Sequence, residues 1–298
     1  MEINKKPLVS IIINCFNGEK FLDEALKSLL QQTYENWEII FWDNQSTDSS
    51  AKIFKKYQDR RFKYFFADEH TTLSKARNLA IEKSKGDLIS FLDADDLWEK
   101  NKLELQIKFF EDYKVGAVFS NHWVIKKEYK KKLLTKTKLP RGYIYNNLID
   151  NYVVGMLTII IKKNFYLKLA KKFDERFSII EDYDLILRLS KICVFECIEK
   201  PLASYRLHEH NHSKIHMQKE IKEMKIWLSE NKLGLKDSEI KKIKKQIDYR
   251  ELINYKIEGK YKKCLSILLN SRMSLLKIKG LIIFLTPKII LKRILWFY

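Results

Sequence analysis

The sequence contains little glycine and proline, only 8 and 4 of its 298 residues. This scarcity excludes collagen-like and low-complexity chains. No two glycines lie within ten residues of each other, so the phosphate loop Gly-x-x-x-x-Gly-Lys-Ser/Thr and the dinucleotide fingerprint Gly-x-Gly-x-x-Gly are both absent. We therefore expect neither a phosphate-loop NTPase nor a dinucleotide-dependent dehydrogenase.

Cysteine is also scarce. The four cysteines include no Cys-x-x-Cys pair and suggest no disulfide framework, which favours a reducing cytosol. Cys193 and Cys197 lie on a strand-like run, and we interpret them as core residues. Long apolar runs are missing too, since no stretch reaches roughly 18 uninterrupted apolar residues. No membrane-spanning helix is therefore expected.

Positive charge is abundant and unevenly distributed. The net charge is +19. Residues 214–298 contain 21 Lys and Arg against 8 Asp and Glu, a net of +13, which leaves +6 for the first 213 residues. In the last part of the chain, basic residues alternate with Leu, Ile, Trp and Phe, a composition that suits a helix on an anionic membrane surface. The alternative is a packed helical cap whose lysines are simply solvated. No recognition motif supports nucleic-acid binding.

The first 120 residues alternate strand and helix patterns. Such alternation predicts an α/β fold with a mostly parallel, twisted sheet flanked by helices. Ligands of these sheets bind at the carboxyl ends of the strands. Polar residues follow four predicted strands there: Asn14, Asp43, His70 and Asp93. The strands are predicted at Leu8–Ile13, Glu38–Trp42, Phe62–Phe66 and Leu88–Leu92.

Three carboxylates are concentrated at the end of the fourth strand, in Asp93-Ala94-Asp95-Asp96. Carboxylates this close repel one another, and a hard divalent cation such as Mg²⁺ or Mn²⁺ would relieve the repulsion. The alternative is a polar turn that caps a helix beginning near Leu97. The spacing alone leaves both interpretations open. A sugar nucleotidyltransferase could also place metal-binding aspartates here, but it would usually carry a glycine-rich loop after the first strand.

Five motifs, in the right order, resemble those of the inverting family 2 glycosyltransferases, which share the GT-A fold. The resemblance is dense over about 1–125 and resumes over about 173–213. Asn14 stands where the family usually has proline. The matching segments are Val9-Ser10-Ile11-Ile12-Ile13-Asn14-Cys15-Phe16-Asn17, Asp43-Asn44-Gln45-Ser46-Thr47-Asp48, Ala76-Arg77-Asn78, Asp93-Ala94-Asp95-Asp96, and Glu181-Asp182-Tyr183-Asp184 followed by Leu187-Arg188-Leu189.

The resemblance assigns roles on the donor side of the site. Asp43 would accept a hydrogen bond from the base, usually uracil, unless it serves only as a turn or cap residue. Arg77 would face the diphosphate or order the metal-binding aspartates. Asp93 and Asp95 would engage the nucleotide sugar and Mn²⁺ or Mg²⁺, with Asp95 the more direct ligand, whereas Asp96 would cap the next helix. The nucleoside pocket would be lined by Ser10, Ile12 and Asn14.

On the acceptor side, the resemblance makes Asp182 the general base. Glu181 beside it would raise the proton affinity of Asp182 by like-charge repulsion. The alternative is that both residues only complement a helix dipole. His208 lies in Tyr205-Arg206-Leu207-His208, which resembles a family segment near the diphosphate, and we assign it as a candidate metal ligand. The neighbouring histidines are interpreted as solvated loop residues: His210, His212 and His216.

The resemblance implies a GT-A domain over residues 1–213, with a nucleotide-sugar half at 1–125 and an acceptor half at 126–213. A basic helical region would follow at 214–298. The expected activity is transfer of a sugar from a UDP-sugar donor to a glycan or lipid-linked acceptor in surface polysaccharide assembly, at the inner face of the cell membrane. The alternatives are a sugar-phosphate nucleotidyltransferase and an inactive glycosyltransferase-like adaptor that binds a membrane or polyanion.

Overall fold

The computed structural model describes residues 6–126, 130–209, 211, 217–270, 275–287 and 290. The chain divides into two compact units, Met1–Glu209 and His210–Tyr298. The sequence interpretation placed its boundary after residue 213. His210, His212 and His216 lie outside the described residues.

The first unit begins with parallel strands joined by helices. The strands are β1 (Val9–Cys15), β2 (Trp37–Asp43), β3 (Phe62–Phe66) and β4 (Leu88–Phe91). The helices between them are α1 (Leu22–Leu30), α2 (Ser50–Lys55) and α3 (Leu73–Glu82). The strands lie in the order β3-β2-β1-β4, and all three pairings are parallel. The α/β alternation predicted for this half is confirmed.

Burial explains why the sequence forms these elements. Every residue of β2 and β4 is buried, as expected for strands covered on both faces. Helix α1 buries Leu22, Ala25, Leu26 and Leu29, which recur at the spacing of one helical face. Helix α3 begins after Thr72, whose hydroxyl accepts a hydrogen bond from the Lys75 backbone N–H. These contacts hold the four strand ends at one edge of the sheet.

The rest of the first unit extends the sheet with mixed pairing. The elements are β5 (Leu97–Trp98), α4 (Lys102–Ile107), β6 (Val115–Lys126), β7 (Lys130–Leu133), α5 (Tyr145–Asp150), β8 (Ile160–Lys162), α6 (Lys163–Lys168), α7 (Glu181–Ser190) and β9 (Val194–Leu207). The order continues β4-β8-β6-β9-β5, with β7 on β6. Strand β8 is antiparallel to both β4 and β6, whereas β6 and β9 are parallel. Cys193 and Cys197 are buried free thiols, which confirms their assignment to the core.

One local prediction is wrong. Asp96 does not cap a helix, because the residues that follow it form β5 and pair with β9 through Leu97 and Ser204. The next helix, α4, begins only at Lys102. Asp96 instead accepts a hydrogen bond at Oδ1 from the backbone N–H of Arg206, at 2.8 Å. The carboxylate of Asp96 therefore binds the backbone of a residue distant in sequence and not the N-terminus of the next helix.

The second unit is helical. Its helices in the described residues are Met217–Asn231, Asp237–Glu258, Tyr261–Asn270 and Leu275–Leu285. Its core contains Leu252, Ile253, Cys264, Leu268 and Ile283. Among the residues that the structure describes, no helix combines the length and apolar character needed to cross a membrane.

Candidate active site

The site lies at the carboxyl edge of the parallel strands. Asn14, Asp43 and Asp93 are at or just beyond the ends of β1, β2 and β4, which are neighbours in the sheet. Because parallel strands end at one edge, residues far apart in the sequence meet there. The predicted convergence of these three residues follows directly from the strand order.

Asp43 is fully buried and rigidly held. Its Oδ1 accepts a hydrogen bond from the Ser46 backbone N–H, and its Oδ2 accepts one from the Tyr64 hydroxyl, each at 2.7 Å. Burial raises the pKa of Tyr64, and its hydrogen bond to Asp43 acts in the same direction. The carboxylate therefore has a fixed orientation, and both of its oxygens contribute to the local fold.

The predicted nucleoside-pocket residues are not all at this edge. Ser10 is fully buried, where its hydroxyl donates to Glu38 Oε1 at 2.7 Å and accepts from the Gly86 N–H at 2.8 Å. Ile12 is also buried within β1. Asn14 is at the strand end, and its side-chain Nδ2 is buried without a hydrogen-bond partner in the described residues. Of the three, Asn14 alone offers a polar atom at the edge of the sheet.

One aromatic side chain at this edge, Phe16, was not assigned a role from the sequence, and it lies against His70, which the sequence did place at a strand end. Phe16 follows β1 with its side chain 53% exposed, and its ring centroid lies 4.4 Å from that of His70. His70 Nδ1 lies 2.8 Å from the Asn44 carbonyl oxygen, which holds the imidazole next to β2. An exposed aromatic beside polar strand ends is a surface on which a planar base can stack. The position of Phe16 directly after β1 was the available signal.

The three aspartates after β4 have separate partners. Asp93 Oδ1 lies 3.5 Å from Arg77 Nη2, and Asp95 Oδ2 lies 2.7 Å from His208 Nε2. Asp96 is fully buried, and its Oδ2 has no hydrogen-bond partner in the described residues. Burial and the nearby carboxylates raise the pKa of Asp96 well above its usual range. Burial also raises the pKa of Asp93, whereas Arg77 opposes that shift.

Arg77 connects the two halves of the site. It lies on α3, is only 4% exposed, and donates from Nη1 to Glu181 Oε1 at 2.7 Å. Its guanidinium carbon also lies 5.9 and 5.6 Å from the ring centroids of Phe91 and Phe173. The side chain thus bridges Asp93, after β4, and Glu181, at the start of α7. Arg77 and Glu181 are 104 residues apart in the sequence.

Asp182, the predicted base, lies next to this bridge. Its Oδ2 accepts a hydrogen bond from the Tyr152 hydroxyl at 3.2 Å, and its Oδ1 accepts one from the Tyr183 N–H at 2.6 Å. Burial raises the pKa of Asp182, and the charge of Asp93 raises it further, whereas Arg77 and both hydrogen bonds lower it. The sequence interpretation attributed the raised proton affinity to Glu181, but in the structure burial is the largest cause and Glu181 is paired with Arg77. Tyr152 was not identified from the sequence as a partner of the base.

Arg206 was assigned no role from the sequence, although it lies in the segment Tyr205-Arg206-Leu207-His208 that resembles the family. Its Nε donates to the Asp95 carbonyl oxygen at 2.9 Å, and its Nη2 donates to Glu24 Oε2 at 2.7 Å. Its guanidinium lies 4.6 Å from the Phe21 ring centroid, and the His208 ring centroid lies 5.1 Å from the same ring. Arg206 therefore fixes the turn that contains the aspartates against α1.

The donor set suits a hard divalent cation. Asp93 and Asp95 supply carboxylate oxygens, His208 supplies an imidazole next to Asp95, and all three side chains are only partly buried. Within the described residues, no group of three or more His, Cys, Asp or Glu side chains forms a complete metal site. Mg²⁺ and similar ions usually take one or two carboxylates plus oxygens from a phosphate substrate. The residues present fit that partial arrangement.

Comparison with sequence families and with solved structures relates the chain to known proteins. The model of the family described as "Glycosyl transferase family 2" matches residues 10–170. An Escherichia coli UDP-Glc:alpha-D-GlcNAc-diphosphoundecaprenol beta-1,3-glucosyltransferase, WfgD, is 32% identical over 184 residues, which cover 62% of this chain and 70% of that protein. The putative teichuronic acid biosynthesis glycosyltransferase TuaG of Bacillus subtilis is 31% identical over 162 residues. That match covers 54% of this chain and 64% of TuaG.

Solved structures show the same fold at low sequence identity. Staphylococcus aureus TarS 1–349 in complex with UDP-GlcNAc superposes with a TM-score of 0.67 at 17% identity, covering 87% of this chain and 80% of that chain. The mannosyltransferase PcManGT of Pyrobaculum calidifontis, in complex with GDP-Man and Mn²⁺, gives a TM-score of 0.62 at 15% identity, covering 94% and 79%. The predicted GT-A architecture is confirmed.

Proposed function

Because this chain belongs to glycosyltransferase family 2, we propose that it is a metal-dependent inverting glycosyltransferase that uses a UDP-sugar donor. The acceptor is a hydroxyl of a glycan or lipid-linked glycan in surface polysaccharide assembly. Two relatives support this choice: the name of WfgD specifies a UDP-Glc donor and a diphosphoundecaprenol acceptor, and TarS was solved with UDP-GlcNAc. The same acceptor chemistry supports a peripheral location at the inner face of the cell membrane.

The observation that carries the proposal is the Arg77 bridge. Sugar transfer needs a group that holds the leaving diphosphate and a base that activates the acceptor hydroxyl, both close to one anomeric carbon. Arg77 contacts Asp93 on the donor side and Glu181, the neighbour of Asp182, on the acceptor side. The bridge brings these two functions together from motifs that are far apart in the sequence.

Asp182 acts as the general base. Its raised pKa keeps its proton affinity above that of an ordinary aspartate, which favours removal of a proton from a sugar hydroxyl. Tyr152 and the Tyr183 N–H hold one carboxylate oxygen each and so fix the orientation of the group. A single base that activates an acceptor for direct displacement leads to inversion at the anomeric carbon.

The donor lies across the carboxyl ends of β1, β2 and β4. Phe16 stacks against the nucleobase, and Asn14 offers its Nδ2, which has no hydrogen-bond partner in the described residues. Asp43 is the fixed hydrogen-bond acceptor for the edge of the nucleobase. Asp93, Asp95 and His208 would hold a Mn²⁺ or Mg²⁺ ion, and the positive charge of that ion would offset the negative charge of the leaving diphosphate. Arg206 supports this arrangement by anchoring the Asp95 carbonyl.

The proposal is tested by Asp182→Asn in a transfer assay with a panel of nucleotide sugars, Mn²⁺ and lipid-linked acceptors. Loss of the base should reduce kcat by about 10²–10⁴-fold while circular dichroism stays unchanged. Asp87→Asn is the matched control, because Asp87 is exposed and precedes β4 at the opposite edge of the sheet. Wild-type rates in Asp182→Asn would refute its role as base, and a product with retained anomeric configuration would refute inversion.

A further inference from the structure

Several apolar side chains of the second unit are exposed and do not belong to its core. On helix Tyr261–Asn270, Leu265 and Leu269 lie one turn apart, and Leu269 is 77% exposed. On helix Leu275–Leu285, Leu285 is 76% exposed. The exposed apolar residues on these two helices are Tyr261, Leu265, Leu269, Leu281, Ile282 and Leu285. We refer to these six residues as the aliphatic rows.

Packing within the second unit keeps the aliphatic rows outside its core. The opposite faces of the two helices are already used, because Cys264, Leu268 and Ile283 are buried with Leu252. A Cβ built on Gly280 would lie 2.8 Å from Leu268 Cδ2, so the helices approach as closely as glycine allows. The rows therefore cannot be buried by a small rotation of either helix.

The two helices run side by side in opposite directions. Gly280 faces Leu268, whereas the ring centroids of Tyr261 and Phe284 lie 6.3 Å apart. Lys256 also lies close to both rings, with its Nζ 4.9 and 5.2 Å from their centroids. These contacts make the pair a defined structural element with apolar side chains facing outward.

The sequence segment that contains the aliphatic rows is basic. From Gly259 onward, the sequence contains nine Lys or Arg residues and no Asp or Glu. Lys262 and Lys263 are exposed on the same helix as Leu265 and Leu269. Aliphatic residues enter the acyl region of a bilayer, while long lysine side chains extend to anionic headgroups. Each lysine near such a surface adds to the attraction.

We propose that the aliphatic rows are a docking surface for an anionic lipid bilayer. The combination of exposed Leu and Ile with an acid-free basic segment carries this inference. Five of the six residues are aliphatic and would insert into hydrocarbon, and the positive charge of the neighbouring Lys262 and Lys263 is complementary to the negative charge of phosphatidylglycerol. The inference refines the peripheral location proposed above, but it does not depend on the sugar-transfer chemistry.

The test is co-sedimentation of the full chain with vesicles of phosphatidylcholine, with or without phosphatidylglycerol. Wild-type protein should bind the anionic vesicles, and added salt should weaken that binding because it screens the headgroup charge. Leu269→Gln/Leu285→Gln should lower the partition coefficient at least about tenfold, since two exposed leucines no longer enter the acyl region. Leu233→Gln is the matched control, because Leu233 is fully exposed on a separate turn of the same unit.

Three outcomes would overturn the proposal. The first is equal vesicle binding by wild-type protein and the double variant, provided that both have the same helical circular dichroism. The second is equal binding to neutral and anionic vesicles. The third is a double variant that changes only the oligomeric state or only the binding of a nucleic-acid duplex. Transfer to a water-soluble acceptor analogue is measured in parallel, so a failure of lipid docking is distinguished from a failure of catalysis.

Discussion

The bridge between Arg77 and Glu181 should be essential to the fold of the active site. Both side chains are nearly inaccessible, 4% and 6% exposed, and their N–O distance is 2.7 Å. At an effective dielectric constant of ~20, two unit charges at this distance attract each other by about 6 kcal/mol, which largely offsets the cost of removing them from water. Asp93 adds less, because its side chain is 42% exposed and 3.5 Å away.

Replacing Arg77 by methionine leaves the Glu181 carboxylate in a buried site without this partner. The expected loss is about 3–5 kcal/mol of unfolding free energy. The double variant Arg77→Met/Glu181→Met should regain at least about half of that loss, because no buried charge is then stranded. Arg60→Met is the control, since Arg60 is exposed and its replacement should cost less than about 0.5 kcal/mol.

Urea unfolding followed by tryptophan fluorescence measures these changes. Trp37, Trp42, Trp98 and Trp123, four of the six tryptophans, belong to the first unit. A double-mutant cycle isolates the coupling between the two side chains. If Arg77→Met costs no more than Arg60→Met, or if the double variant loses the sum of the two single losses, the argument for a buried bridge is refuted.

Two further predictions concern the base and the metal. In Tyr152→Phe, Asp182 loses a hydrogen bond that lowers its pKa, so the acid limb of the kcat/KM profile should move to higher pH. The direction follows because a base must be deprotonated to act, and an unshifted limb would contradict the assignment of Asp182. In His208→Gln, the Mn²⁺ dissociation constant measured by electron paramagnetic resonance should rise about 10–100-fold, because His208 and Asp95 lie within 2.7 Å at the site. His70→Gln is the control, and equal Mn²⁺ affinity in both variants would exclude His208 as a ligand.

The first four strands could be predicted because their signals are local. Each is a short apolar run bounded by polar or turn residues, and burial on both faces leaves little ambiguity about its type. The pairings of β1 with β2 and of β2 with β3 follow the rule that consecutive parallel strands are usually neighbours, whereas β4 pairs with β1 at the other side of the sheet. The convergence of Asn14, Asp43 and Asp93 is a consequence of that order.

The rest of the sheet could not be predicted in the same way. Strand β8 is inserted between β4 and β6, antiparallel to both, so its position depends on partners far along the chain. The same reason explains the error at Asp96. Its local sequence fits a helix cap, but Leu97 and Trp98 pair with β9 more than a hundred residues later. Tyr152 was missed as a partner of Asp182 because only tertiary contacts bring the two side chains together.

The aspartate cluster shows how long-range contacts give similar residues different roles. Asp93, Asp95 and Asp96 are within four residues of one another, and their mutual repulsion contributes to the raised pKa values of Asp93 and Asp96. The charges of Arg77 on α3 and Arg206 in β9 oppose these shifts, at Asp93 and Asp96 respectively. His208, after β9, lies 2.7 Å from Asp95. Asp96 is fully buried and bonded to the backbone of β9, so it supports the fold. Asp93 and Asp95 retain exposed surface, so their carboxylates are the ones that remain accessible to the proposed divalent cation.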